Sequence, residues 1–173
     1  MTANTETIND RVAGTYDFSR YTHVVDVGGG RGSLLEAIVR AHPGVHGTLF
    51  DQAHVVADVE IDGVDVVAGS FFEAVPRGGD AYVLKSIIHD WGDDEAVAIL
   101  RTCAAALDGG AHVLLIERDL ADPAASWLDL QMLVMLGGRE RTEDEYAELF
   151  RAAGLTPAAA TPISAGLSVF QAG

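Results

Sequence analysis

His23-Val-Val-Asp-Val27-Gly-Gly-Gly-Arg-Gly32-Ser33 decides the architecture of this chain. His23 to Val27 is a short apolar run that stops abruptly at Gly28-Gly29-Gly30, the pattern of a buried strand entering a tight glycine turn. Ser33 is the expected cap of a helix through about Ala41, with Leu34, Leu35, Ile38 and Val39 on one face and Pro43-Gly44 closing the unit. Strand, glycine turn and helix in this order make half of a nucleotide-binding unit.

The alternation continues outward. Gly47 to Phe50 reads as a second strand, Val64 to Ala68 as a third, Ala81 to Ser86 as a fourth and Val113 to Glu117 as a fifth. Helical patterns fall between several of them, most clearly from Asp93 to Leu107. Strands alternating with helices predict an α/β fold with a doubly wound, mainly parallel sheet that binds ligands at the carboxyl ends of its strands. The tail changes character: a helix near Glu143 to Ala153 is followed by Gly154, proline-marked turns and a last segment at Leu167 to Gln171, expected to form an antiparallel hairpin on the sheet edge. Residues 1–20 are polar without a strong period and read as a connecting segment, and residues 21–173 as one domain.

Composition removes several classes of partner. With 11 Lys and Arg against 26 Asp and Glu, the net charge of −15 repels phosphate backbones and anionic lipid, so neither nucleic acid nor a membrane surface is expected. Cys103 is the one cysteine and sits in an alanine-rich helical stretch, where it reads as a small buried apolar residue. No signal segment or spanning apolar run is evident, and a cytoplasmic location is the simplest expectation. His42, His46 and His54 have no metal-ligand spacing, so no metal is expected.

Glycines 28 and 30, after Asp26, let backbone pass close to a ligand, although a tight strand-to-helix connection would use them equally. Asp51 shifts the balance. It stands at the end of the second strand, about twenty residues past the turn, where a carboxylate can accept both ribose hydroxyls. The combination favours adenosine but fits hydride transfer and methyl transfer alike. Gly69-Ser70-Phe71-Phe72 adds a hydroxyl and two aromatic faces suited to adenine, or to filling the core.

Leu84-Lys85-Ser86-Ile87-Ile88-His89-Asp90-Trp91 begins as a buried strand and ends in polar and aromatic residues. A histidine at that edge is either a structural residue or a general base, and a base needs a carboxylate to fix its tautomer. Glu117 and Glu140 are the candidates, with Glu140 alternatively paired on the surface with Arg139 or Arg141. Met132 and Met135, with Trp127 nearby, suit either a pocket for an aromatic substrate or core packing.

With these residues in place, the chain resembles the S-adenosylmethionine-dependent small-molecule O-methyltransferases that act on caffeic acid, flavonoids and polyketides. The resemblance rests on five ordered motifs: Tyr16-Asp17-Phe18, DVGGGRG at 26–32, GSFFEAVP at 69–76, LKSIIHDW at 84–91 and GGRERT at 137–142. It implies a Rossmann-like catalytic domain over 21–173, S-adenosylmethionine as cofactor and S-adenosylhomocysteine as product, and no metal. It implies that Gly28 and Gly30 approach the methionyl part, that Asp51 holds the ribose, that Ser70 and Phe71 lie near adenine and that Asp26 and Lys85 lie at the cofactor. It makes His89 the base, flanked by Glu117 and Glu140, and Trp91, Met132 and Met135 the lining for an aromatic small-molecule substrate. Family members commonly carry aspartate where this chain has Ser70. They also carry an amino-terminal helical dimerisation domain, so a monomer or an atypical oligomer is expected here.

Three other functions share these features. One is a cofactor-binding module inactive without a separate domain. Another is a relative that uses the same cofactor in hydroxylation or decarboxylation, and the third is a nicotinamide dehydrogenase.

Overall fold

A computed structural model describes residues 2–119, 141–164 and 166–173. Helix α1 (Thr2–Thr15) leads through a single 3-10 turn (Phe18–Arg20) into strand β1 (His23–Val27) and helix α2 (Ser33–Ala41). Then come β2 (His46–Asp51), the short α3 (Ala53–Val56), β3 (Val64–Ala68), β4 (Ala81–Lys85), a 3-10 turn (Ile88–Asp90), α4 (Asp93–Ala106) and β5 (His112–Arg118). Helix α5 (Glu143–Ala152) and strands β6 (Thr161–Ser164) and β7 (Leu167–Ala172) complete the described elements.

The seven strands form one sheet in the order β3-β2-β1-β4-β5-β7-β6. The first five are parallel, while β7 runs antiparallel to both β5 and β6. The expected edge hairpin is therefore present, with β7 inserted against β5 and β6 outermost. Strand order reverses between β1 and β4, and in such sheets the crevice outside the carboxyl ends at that reversal is where ligands bind.

Alternate residues of the strands feed two core layers, as the two-residue period of a strand requires. Val25, Tyr82, Leu84, Val113 and Leu115 pack with Ile99, Leu100 and Phe150 of α4 and α5. Val24, Val83, Leu114 and Ile116 face the other way, against Leu35 and Ile38 of α2 and Val12 of α1. Burial on both faces explains why the central strands read as continuous apolar runs rather than alternating ones.

Two local expectations are revised. The polar opening segment forms a helix packed on α2, because Val12, Ala13 and Tyr16 are buried with the apolar face of α2 and the Tyr16 hydroxyl donates to Gln171 Oε1 of β7 at 2.9 Å. Ser33 does not cap α2: Gly32 occupies the cap position in the left-handed conformation (φ 79°), and Ser33 Oγ instead accepts from Asn9 Nδ2 at 2.9 Å. Helix α5 has the capping box its Thr142 and Glu145 spacing permits, each satisfying a backbone N–H of the other. Among the described residues no helix is long and apolar enough to cross a membrane.

Candidate active site

At the carboxyl end of β1 the chain turns through Gly28 (φ 71°) and Gly30 (φ 60°), conformations that disfavour any residue with a β-carbon. Gly28 N donates to Phe50 O at 2.7 Å, which draws the loop over the end of β2. A β-carbon on Gly28 would lie 2.7 Å from Ile87 Cδ1 and 3.4 Å from Phe71 Cε1, so three separate sequence motifs converge on this one backbone position. At Gly30 a β-carbon would meet nothing within 4 Å, and the loop there opens onto free space.

Asp51, at the end of β2, holds this loop. Its Oδ2 accepts from Gly30 N at 2.8 Å and its Oδ1 from Gln52 N at 2.6 Å. Each carboxylate oxygen retains acceptor capacity beyond one bond, so these contacts orient the group without exhausting it. Asp26 is only 1% exposed and its Oδ2 has no hydrogen-bond partner. Burial pushes its carboxyl up to about 7; the Lys85 ammonium opposes that rise and Asp51 adds to it.

Beyond β3, Ser70 Oγ accepts from Phe72 N at 3.3 Å, and the carbonyl of Phe71 accepts from Thr102 Oγ1 of α4 at 2.6 Å. The rings of Phe71 and Phe72 lie 5.0 Å apart, and Trp91 stands edge-on to Phe72 at 4.8 Å. Asp51, Gln52, Ser70, Phe71, Phe72 and Trp91 line a cleft of about 60 Å³. Phe72 remains 41% exposed in it, unusual for so large an apolar side chain. A larger groove of about 710 Å³ lies near the amino ends of β2 and β3, between Glu36, Arg40, Pro43 and Glu60, and includes none of the cofactor, catalytic or substrate-pocket residues expected from the sequence.

The histidine is set up by the end of β4 and by β5. Pairing places Lys85 beside Ile116, so Glu117 is the next residue past that register. Ser86 then takes a positive φ of 56°, the single described non-glycine residue to do so, while its N–H donates to Ile116 O at 3.1 Å. That reversal starts the turn bearing His89. Glu117 is 1% exposed; its Oε1 accepts from Ile87 N (2.9 Å) and Ile88 N (2.8 Å), and its Oε2 accepts from His89 Nδ1 at 2.7 Å. Withdrawing a carboxylate from water costs several kcal/mol, and three hydrogen bonds to a charged acceptor return about 5–9 kcal/mol, so the group is stable where it sits.

A carboxylate has no proton to give, so the bond to Glu117 puts a proton on His89 Nδ1, and in a neutral ring Nε2 then carries the lone pair. Asp90 Oδ1 lies 3.3 Å from Nε2. Burial raises the Asp90 carboxyl, partly offset by His89, and Glu117 raises it further.

The predicted residues therefore separate into groups. Asp26, Gly28, Gly30 and Asp51 come together, as do Ser70, Phe71 and Trp91, and His89 meets Glu117. Lys85 ends β4 and acts electrostatically on Asp26. Glu140, Met132, Met135 and Trp127 lie outside the described residues. Arg141, considered as a surface partner for Glu140, is instead fully buried. Sequence reading missed Asp90 beside Nε2 and the strained Ser86. The first was visible as the neighbour of His89; the second has no signature, since serine carries no conformational flag. Among the described residues no group of three or more His, Cys, Asp or Glu side chains is placed to hold a metal ion.

The chain is similar to proteins of known family. The model of the O-methyltransferase domain family matches residues 1–156. Phenazine O-methyltransferase PhzM of Lysobacter antibioticus is 39% identical over 97% of this chain and 53% of its own length. The 2,7-dihydroxy-5-methyl-1-naphthoate 7-O-methyltransferase of Streptomyces carzinostaticus is 46% identical over 88% of this chain and 49% of its own. Among solved structures, the O-methyltransferase NcsB1 from neocarzinostatin biosynthesis, in complex with S-adenosylmethionine and 2-hydroxy-5-methyl naphthoic acid, superposes with a TM-score of 0.86 at 39% identity, over 99% of this chain and 57% of that one. CalO1 of calicheamicin biosynthesis, in its S-adenosylhomocysteine-bound form, gives 0.92 at 35% identity, over 99% and 54%. The chain spans about half the length of the curated relatives it matches. On the extent and identity of these matches, the chain belongs to the O-methyltransferase domain family.

Proposed function

We propose that this chain transfers a methyl group from S-adenosylmethionine to a phenolic hydroxyl of an aromatic small molecule, with His89 as the general base. The observation that carries the reading is the 2.7 Å bond from His89 Nδ1 to a buried Glu117 that is itself fixed by two backbone amides. A solvent-facing structural histidine needs no such support, whereas a base needs its tautomer fixed and its second nitrogen turned to accept.

The strand ends fit the cofactor. Gly30 opens onto space, Asp51 lies beside the aromatic cleft, and Asp26 keeps a buried oxygen without a partner. Asp51 would hold the ribose hydroxyls, Phe71 would lie against the adenine face, and the loop from Gly28 to Gly30 would pass along the methionyl part. S-adenosylmethionine supplies a methyl group already made electrophilic by its sulfonium. The protein's share is to align the acceptor oxygen and remove its proton.

A phenol with a pKa of about 10 is almost wholly protonated at neutral pH, so the base has work to do. His89 Nε2 would take the hydroxyl proton as the methyl group passes from the sulfonium sulfur to the acceptor oxygen, with S-adenosylhomocysteine as the leaving product. The imidazolium then lies between Glu117 at 2.7 Å and Asp90 at 3.3 Å, two carboxyl groups placed to stabilise it. Burial of the site, with the His89 side chain 14% exposed, strengthens both interactions.

Transfer of labelled methyl from S-adenosylmethionine to 1,4-dihydroxy-2-naphthoic acid, the naphthoic acid present in another NcsB1 complex, tests the reading. Turnover by the parent and a loss of about 10²–10⁴-fold in His89→Ala, with S-adenosylhomocysteine still bound, is the expected result. Cofactor binding by the parent with no transfer to this or related phenols would favour the second reading, a cofactor-binding module that needs a further domain. The observation that favours that reading is the exposed Phe72.

A further inference from the structure

We propose that Arg141 is a positioning residue that holds the His89 imidazole against Glu117 by gripping the carbonyl side of the turn that carries it. The inference rests on the reading of His89 as the base.

Arg141 is 0% exposed, and a guanidinium is buried at high cost unless its donors are met. Here they meet backbone around the histidine. Nη1 donates to Ile88 O at 3.1 Å and Nη2 to Trp91 O at 2.8 Å, on either side of His89. Nε and Nη2 also donate to Asp93 Oδ1 at 3.1 and 2.8 Å, which ties the turn to the first residue of α4. Ile88 O accepts from Trp91 N as well, closing the turn on itself at 3.2 Å.

Glu117 does the complementary job at the other end, taking the N–H groups of Ile87 and Ile88. A carboxylate thus faces the amide end of the turn and a guanidinium faces its carbonyl end, each opposite in sign to the partial charge it meets. Both anchors come from the carboxyl end of β5. Glu117 lies within β5, and Arg141 is bridged through its backbone to Asp119, just past the strand. If Arg141 served only to fill volume, an apolar side chain would do as well and avoid the desolvation cost. The planar fork of donors is what spans two carbonyls and a carboxylate together, and a lysine ammonium is a single point that cannot.

The test reads the imidazole itself. In the isotopically labelled chain, NMR of the His89 ring reports its tautomer, and hydrogen exchange reports the Ile87 and Ile88 amides. The parent is expected to show one Nδ1–H tautomer with a slowly exchanging ring proton. In Arg141→Lys the ring is expected to become a tautomer mixture, with these two amides exchanging about tenfold faster while the remaining sheet amides stay as in the parent. Asp93→Asn alters the half-exposed partner without disturbing the core, and is expected to shift the same signals in the same direction by less. It decides the matter if Arg141→Lys does not fold.

An unchanged His89 ring in folded Arg141→Lys, or in Asp93→Asn where that variant decides, overturns the proposal. So does acceleration spread evenly over the whole sheet, the signature of a purely structural residue. Turnover is read separately: these spectral shifts in a chain that transfers no methyl group would refute the functional reading and leave the positioning role standing.

Discussion

Glu117→Gln removes one acceptor from a group that serves three donors. The glutamine amide can be set two ways. With its oxygen toward Ile87 N and Ile88 N, now 2.9 and 2.8 Å from Oε1, its NH₂ faces His89 Nδ1. With its oxygen toward the ring instead, NH₂ confronts two buried backbone donors, at a cost of about 1–3 kcal/mol for each one left unsatisfied. The first orientation wins by about 2–6 kcal/mol on this count. It obliges Nδ1 to accept, moves the ring proton to Nε2 and so leaves the substrate hydroxyl without a base. Turnover should fall by about 10²–10⁴-fold, the range of a general base. S-adenosylhomocysteine affinity should stay unchanged, because neither Asp51 nor the glycine loop touches Glu117. Methyl transfer to 1,4-dihydroxy-2-naphthoic acid measures the first quantity and calorimetry the second. Combined with His89→Ala, the change should add nothing further. A loss in Glu117→Gln below about threefold, where at least 10² is expected, would refute the tautomer argument, as would a full additional loss in the double variant.

Ser86→Val should lower stability by about 1–2 kcal/mol relative to Ser86→Gly in thermal unfolding, since a β-branched residue at φ 56° meets the left-handed penalty that glycine avoids. Gly28→Ala should weaken S-adenosylhomocysteine binding at least tenfold and lower the melting temperature, because φ 71° and the 2.7 Å approach to Ile87 Cδ1 both oppose a β-carbon. The Asp26 carboxyl is raised from 3.8 to about 7 on folding, so between those values the folded chain binds more protons than the unfolded one. Stability is then greatest below about pH 4 as far as this group is concerned and falls as pH rises to about 7, by an upper bound of about 4 kcal/mol. Asp26→Asn should flatten that slope in denaturant titrations across the window; an identical slope in both proteins would contradict the shift.

The glycine turn between His23 and Ser33 and the apolar runs of β1, β4 and β5 were legible because burial on both faces leaves no polar alternation to confuse them. His89 and Glu117 were legible as a base and one of two candidate carboxylates for it; they lie 28 residues apart, and it is the β4–β5 register that brings them to 2.7 Å. Helix α1 was hidden because its buried apolar residues, Val12 and Ala13, with Tyr16 just beyond its end, are crowded together, leaving the rest without a period. Ser33 misled because a serine before a helical pattern normally caps it, whereas Gly32 in the left-handed region leaves no room for that role. Arg141 was hardest to read. An arginine in a glycine-rich, charged stretch looks solvated, and nothing local indicates that two carbonyls and Asp93 lie waiting for its donors.

Calorimetric titration of the purified chain with S-adenosylhomocysteine, run beside Asp51→Ala and His89→Ala, tests the cofactor site on which everything else depends. Saturable binding by the parent, weakened at least tenfold in Asp51→Ala and unchanged in His89→Ala, is the predicted result, since a ribose clamp contributes one or two charge-assisted hydrogen bonds and the base none. No binding by the parent, or equal binding by Asp51→Ala, would contradict it.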